Sequence, residues 1–420
     1  MIDRSHAPVI HPFEDVVLPG IRFFVNNNGV NVYFHPTPHT GTFKLELYCK
    51  NSQLNTANSA ECQLSLKLLK EGTTKRPSKV LAEYIDSLGS FLEITPGFDN
   101  SSITIYGLSR YFKQNVQLLR ELVEQPAFKE SSLKKLKLKE VDRLKQNKEK
   151  SSYISSTNLR NALFGTTHPY GHILKEKDIQ NLTIQRIYNI HQSYSQSFDI
   201  YLSGDISDEN LKHLNEFHSE HTENKDFDNT LPGKTKHSIV RSEKFVQSSI
   251  KIGKRLFTRS NKDYIPFMVT NEILGGYFGS RLMKNIREEK GLTYGIYSHL
   301  YALGREGYFF ISSDVKAENE DQVISEIHSE ISSLQNKLVK EEELNMVKNY
   351  MIGTFMNSLS NPFGIIEKYK ILISQKLNAD FYDHYVENIK AVSSQEVKEI
   401  SNLYLQIDSF TQSLVGTSIA

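Results

Sequence analysis

Cysteine is nearly absent. Cys49 and Cys62 are the only two in 420 residues; they form no Cys-x-x-Cys pair and no disulfide framework, which fits a reducing, cytoplasmic setting. A charge surplus is missing as well. Fifty basic against 49 acidic side chains leave a formal net charge of +1, with no long block of one sign, so the chain lacks the electrostatic footprint of a nucleic-acid or anionic-membrane binder. The cluster Lys134, Lys135, Lys137 and Lys139 reads as the solvated face of a helix. No apolar run approaches the roughly 20 residues of a membrane span. The start, MIDRSHAPVIHPFEDVVLPG, has acidic residues and prolines where a signal peptide needs a basic segment and then an apolar run, so it does not read as a targeting segment. There is no G-x-S-x-G, no P-loop and no dinucleotide fingerprint.

What is present describes a soluble globular protein. Hydrophobic residues make up 38% and charged residues 24% of a chain longer than one hydrophobic core usually supports, so two domains are expected. From Gly20, IRFFVNNNGVNVYFHP and FKLELYCK alternate apolar and polar residues around an Asn-Asn-Asn-Gly turn, predicting a hairpin that opens a sheet. CQLSLKLLKEGT follows as a helix stopping at Gly72, with Leu64, Leu66, Leu68 and Leu69 toward a core, and a second helix ends at Gly89. A strand pair, SFLEITPGFDNSSITIYGL, leads into helices from about Arg110 to Lys150, broken near Pro126. LFGTTHPYGHILKEKDIQNLT reads as a loop, and from Thr183 a helix enters the strand FDIYLSGDI. His168 and His172 stand at i, i+4, but Pro169 and Gly171 forbid the helix that would make that spacing a metal site.

The run HSEHTENKDFDNTLPGKTKH has no apolar periodicity and contains a Pro-Gly pair. It predicts an N-terminal domain over residues 1–217, a linker over 218–237 and a C-terminal domain over 238–420. Beyond it the same order of elements returns. Gln185, Ile187, Ile190 and Tyr194 match Gln395, Val397, Ile400 and Tyr404, each pair the same distance apart, and the strands that follow end in Gly204 and Gly416. The chain therefore reads as a tandem duplication. The fold class predicted is α+β: two homologous domains, each a mostly antiparallel sheet covered by helices.

The most informative stretch runs from Asn271 to Val315. Leu274, Phe278, Leu282 and Ile286 recur at helical spacing, Gly275 and Gly276 permit close packing, and Arg287 ends the predicted helix. After Gly291, residues 293–298 alternate as a strand, and Gly304 and Gly307 turn it into another over 308–315. Arg287 and Tyr294 thus flank one helix-to-strand turn. On their own terms they are a helix-end cation and an amphipathic strand residue. Together with Gly275, Gly276, Ser280, Arg281, Leu282, Gly291 and Leu292, however, they make the stretch resemble the C-terminal halves of the pitrilysin, insulinase and mitochondrial processing peptidase family.

The resemblance extends to the first half, where the departures are informative. Active members place H-x-x-E-H on the helix before a Gly-Thr pair, because two histidines at i and i+4 share a face and bind zinc while the glutamate acts as base. Aligning on Gly72 and Thr73 puts Gln63, Leu64, Ser65, Leu66 and Lys67 over those positions. A lysine ammonium there would repel a divalent cation. The family's third ligand aligns with Glu140, for which a solvated helix charge is the expectation. No cofactor is expected in this chain.

Some bacterial and mitochondrial members work as pairs of similar chains, only one of which holds the zinc motif. In the family two half-shells enclose a chamber, and the peptide adds as a strand to a sheet edge. The resemblance therefore implies the non-zinc-binding subunit of a heteromeric zinc metallopeptidase. Arg287 and Tyr294 would be its catalytic contribution, and Gly275, Gly276, Tyr277 and Phe278 its substrate-binding positions. Zinc would reside in a homologous partner chain with an intact H-x-x-E-H. The alternative is a catalytically silent peptide-binding or scaffold protein of the same fold.

Overall fold

The computed structural model describes residues 16–50, 59–219 and 237–417. The expected linker lies outside them, apart from its first two residues and its last. Among the described residues no helix is long and apolar enough to cross a membrane.

The opening hairpin forms as its sequence predicts. β1 (Arg22–Val25) and β2 (Asn31–Pro36) pair antiparallel across a turn, in which Asn26 Oδ1 accepts the backbone N–H groups of Asn28 and Val30, both at 2.9 Å. Gly29 takes a φ of 81° there, which a side chain would resist. β3 (Thr42–Lys50), β4 (Phe91–Thr95), β5 (Asn100–Leu108) and β6 (Phe198–Gly204) complete a six-stranded sheet in the order β1-β2-β6-β3-β5-β4. The second half builds β7 (Ser238–Arg241), β8 (Ser248–Leu256), β9 (Thr293–Ala302), β10 (Gly307–Val315) and β11 (Thr411–Gly416) into the order β7-β11-β8-β10-β9.

The two orders are the same once β1 is set aside. In each sheet the last strand of the half inserts beside the first, and that pair alone is parallel: β2 with β6, β7 with β11. The helix before each inserted strand starts identically too, since the Thr183 and Ser393 hydroxyls accept the backbone N–H of Arg186 and Glu396, a side-chain N-cap. The duplication legible in a few letters is thus a duplication of topology. Each sheet buries one face in its own apolar core, around Leu45, Leu47 and Ile105 in the first half and Ile252, Phe309 and Ile311 in the second.

The opposite faces are covered by exchange. The helix Ser151–Phe164, contributed by the first half, packs on β8 and β11 of the second sheet, and Gly364–Ser374, from the second half, packs on β2 and β6 of the first. The first of these is absent from the sequence reading. Its run SSYISSTNLRNALF is rich in Ser, Thr and Asn, which compete with the helix backbone for hydrogen bonds, and tertiary packing overrides that local preference. Gly253 permits the contact, because a Cβ there would lie 3.2 Å from a Leu159 methyl and 2.4 Å from Phe309 O. Glu176–Gln180 likewise forms a short helix inside the predicted loop. The reciprocal cover is ionic: buried Glu46 meets Lys370 of the second-half helix at 2.8 and 2.9 Å and its own neighbour Lys44 at 2.8 Å.

Candidate functional site

The helix Ser59–Leu68 carries Gln63 and Lys67 one turn apart, while Leu66 is fully buried in the core. Across from them lies Glu140, on the helix Glu130–Lys148. It is not the solvated charge expected from its helix: it is 6% exposed, with Lys67 Nζ 2.8 Å and an Arg143 nitrogen 2.6 Å from its Oε2. A carboxylate can be buried at such a place only because it is paired twice. Burial holds the Lys67 pKa below the usual lysine range, against the pull of Glu140.

An amide, an alkyl chain, an ammonium and a doubly paired carboxylate do not fit a zinc ion, which needs neutral imidazoles, thiolates or free carboxylates. Among the described residues no three His, Cys, Asp or Glu side chains converge. Gln63 and Glu140 line a cavity of about 320 Å³ together with Cys62. Burial pushes the Cys62 thiol up to about 12, so it is no nucleophile at neutral pH. His168 is a packing residue: it stacks 5.2 Å from Phe164, and its Nδ1 accepts the Tyr170 N–H.

The second candidate lies around Arg287 and Tyr294. The single helix predicted through this stretch is in fact two. Tyr264–Asn271 widens into a π turn over Glu272–Gly276, the chain breaks at residues 277–280, and a second π segment runs Met283–Glu289. Close packing explains the break, because a Cβ on Gly275 would come within 2.8 Å of Ser298 N in β9. Leu274, Leu282 and Ile286 are buried as the periodicity requires, but the break throws Phe278 outward, 64% exposed.

Phe278 then takes the Arg287 guanidinium 4.6 Å from its ring centroid, a cation–π contact that orients the cation without neutralising it. Arg287 has no ion pair or hydrogen bond among the described residues. Tyr294, at the start of β9, is 91% exposed. Thr293 Oγ1 donates to the Asp314 carbonyl, and the register shifts between Ser313 and Val315, so a bulge turns the strand end away from the regular pleat. The framework around these three side chains is anchored: Arg281 grips Glu343 through two hydrogen bonds of 2.8 and 2.7 Å, and Tyr277 packs 4.9 Å from Tyr350.

β9 is an edge strand whose other end leads into a turn that meets the first half, where Gly304 N donates to Asp99 at 3.0 Å. Eight residues, roughly 27 Å of strand, separate Tyr294 from Ala302 at that end.

Glu272, at the start of the first π turn, went unnoticed in the sequence because nothing local marks a half-buried acid. Its carboxylate has no partner among the described residues, and burial pushes its pKa up to about 7. The sign follows from linkage: the folded value exceeds the unfolded one of 4.5, so the destabilisation is absent below about pH 4.5, grows as pH rises, and is complete above pH 7. Glu272→Gln should therefore raise stability by about 1–3 kcal/mol at pH 8 and leave it unchanged near pH 4. Thermal melts at the two pH values test this; an equal gain at both would mean that titration is not the cause.

Two family models match, "Insulinase (Peptidase family M16)" over residues 64–176 and "Peptidase M16 inactive domain" over residues 181–351. The chain belongs to the insulinase peptidase family. Within it, the similar proteins include some named as inactive and others named as zinc proteases, such as the uncharacterized zinc protease YmxG of Bacillus subtilis, 23% identical over 69% of this chain and 72% of its own. The non-peptidase homologue YmxG of Helicobacter pylori is 22% identical over 372 residues, covering 84% of each chain. The probable inactive metalloprotease YmfF of Bacillus subtilis is 22% identical, covering 73% of this chain and 74% of its own. A peptidase M16 inactive domain from Pseudomonas fluorescens superposes with a TM-score of 0.82 at 22% identity, over 96% of this chain and 99% of that one. In this insulinase-family chain the zinc-motif positions are closed by the Lys67–Glu140 pair.

Proposed function

We propose that the chain is the zinc-free subunit of a heteromeric metallopeptidase, lending Arg287 and Tyr294 to the active site of a homologous partner with an intact H-x-x-E-H. The observation that carries this reading is the contrast between the two sites. The chain's own zinc positions are closed by an ion pair, whereas on an anchored turn Tyr294 stands outward and Arg287, half-buried over Phe278, has no ion pair among the described residues. A guanidinium fork and a phenol hydroxyl are donors suited to the oxyanion that develops on a scissile carbonyl. The metal chemistry would come from the partner. The exposed edge of β9 beside Tyr294 offers backbone groups to an extended peptide, with Tyr277 and Phe278 flanking it.

The test is reconstitution. The purified chain should carry no stoichiometric zinc by elemental analysis and cleave no peptide, and adding a homologous chain that keeps H-x-x-E-H should produce chelator-sensitive cleavage exceeding that of the partner alone. Chelator-sensitive cleavage by this chain alone would overturn the proposal. The second reading, a silent scaffold, draws on the names of the relatives; assembly without any gain in cleavage would favour it.

A further inference from the structure

We infer that the cavity at the former zinc position is a binding site for a carboxylate-bearing ligand, anchored by Arg160. This does not depend on the pairing proposed above. The cavity, about 320 Å³, is at the small end of ligand-sized pockets. Its charge is the reverse of what a metal site needs. Glu140 is its one acidic lining residue, and it is already held by both Lys67 and Arg143. Arg160 lines the same cavity and has no acidic partner among the described residues.

Arg160 lies on the exchanged helix Ser151–Phe164, with its guanidinium carbon 5.4 Å from the centroid of the Phe98 ring. The residue is half-buried, its Nε shielded within the fold and the side chain without an ion pair among the described residues. A planar guanidinium fork is the donor geometry that a carboxylate accepts through two parallel bonds. His172, Asn147 and Gln63 add further polar groups to the lining, while Phe98, Pro96 and Leu144 give it apolar walls. The ligand class is therefore a small molecule or chain end with at least one carboxylate on a compact carbon body. The sources that fit are the free C-terminus of a short peptide and a free organic acid.

The experiment is calorimetric titration of the full chain with trialanine, with trialanine amide and with succinate. The expected result is saturable binding of trialanine or succinate, and binding of the amide weaker by roughly ten- to hundredfold, as loss of a charge-assisted pair predicts. Trialanine binding without succinate binding identifies a peptide terminus; succinate binding identifies a free acid. Arg160→Met should weaken whichever probe binds by a similar factor, with the melting temperature measured alongside to show that the variant is folded. No saturable binding of either acid at millimolar concentration would overturn the inference. So would equal affinity for acid and amide, a comparison that needs no variant, or unchanged affinity in folded Arg160→Met.

Discussion

Tyr294→Phe should lower peptide turnover by roughly ten- to a thousandfold per assembled complex, the range seen when one oxyanion donor is removed. Only a hydroxyl is lost, and with 91% of the side chain exposed the fold should not register it beyond about 0.5 kcal/mol. Arg287→Lys tests the other donor. It keeps the charge and can still sit over Phe278, but loses the planar fork, so a donor role predicts damage where a simple helix-end cation would tolerate the change. Both variants are to be measured with the zinc-bearing partner, counting complexes by size and turnover separately. Turnover within twofold of the parent in both would remove the enzymatic reading and leave the scaffold. A fall in activity that tracks lost complex would place the residues in assembly instead.

Glu46→Ala should cost about 3–5 kcal/mol in chemical denaturation, the penalty typical of breaking a buried charge network by removing one partner. Glu46 is 1% exposed and accepts from Lys44, from Lys370 and from Ser102. Burial alone would raise its pKa, but Lys370 and Lys44 together outweigh that and hold it below the usual carboxylate range. Its stabilisation is thus complete above the unfolded value of 4.5 and lost as pH falls through the lower folded value. The deficit of the variant should shrink correspondingly in acid. Removing Glu46 leaves buried Lys44 and half-buried Lys370 to share only the partly exposed Glu367 at the seam where the second-half helix covers the first sheet. A loss below 1 kcal/mol at pH 7 would mean that apolar packing alone holds that helix in place.

How far the chain could be read in advance depended on how local each signal was. The hairpin around Asn26–Gly29, the helix stops at Gly72 and Gly89, and the capped helices before β6 and β11 are each written within about ten residues, and all appear where expected. The helix Ser151–Phe164 could not be read this way, because its stability comes from β8 and β11, strands far along the chain. Glu140 looked like a surface charge for the same reason. Its helix is lysine-rich, and only the approach of Lys67 from another helix shows that this carboxylate faces inward.

Sequence alone pointed to the family and the duplicated halves, and it fixed which side chains stand at the zinc-motif positions. A glutamine, a leucine and a lysine cannot act as two imidazoles and a base in any conformation, so no fold was needed to decide that point. It also pointed to Arg287 and Tyr294, because the glycines that shape their turn lie beside them in the chain. Tertiary structure decided what replaced the metal and how the turn presents its residues. The Lys67–Glu140 pair, the exchanged helices and the Arg160 guanidinium stranded beside Phe98 arise from contacts between elements distant in sequence. The break that exposes Phe278 comes from backbone approach at Gly275 to β9. Such contacts are set by how whole sheets and helices pack, and no short window of residues encodes them.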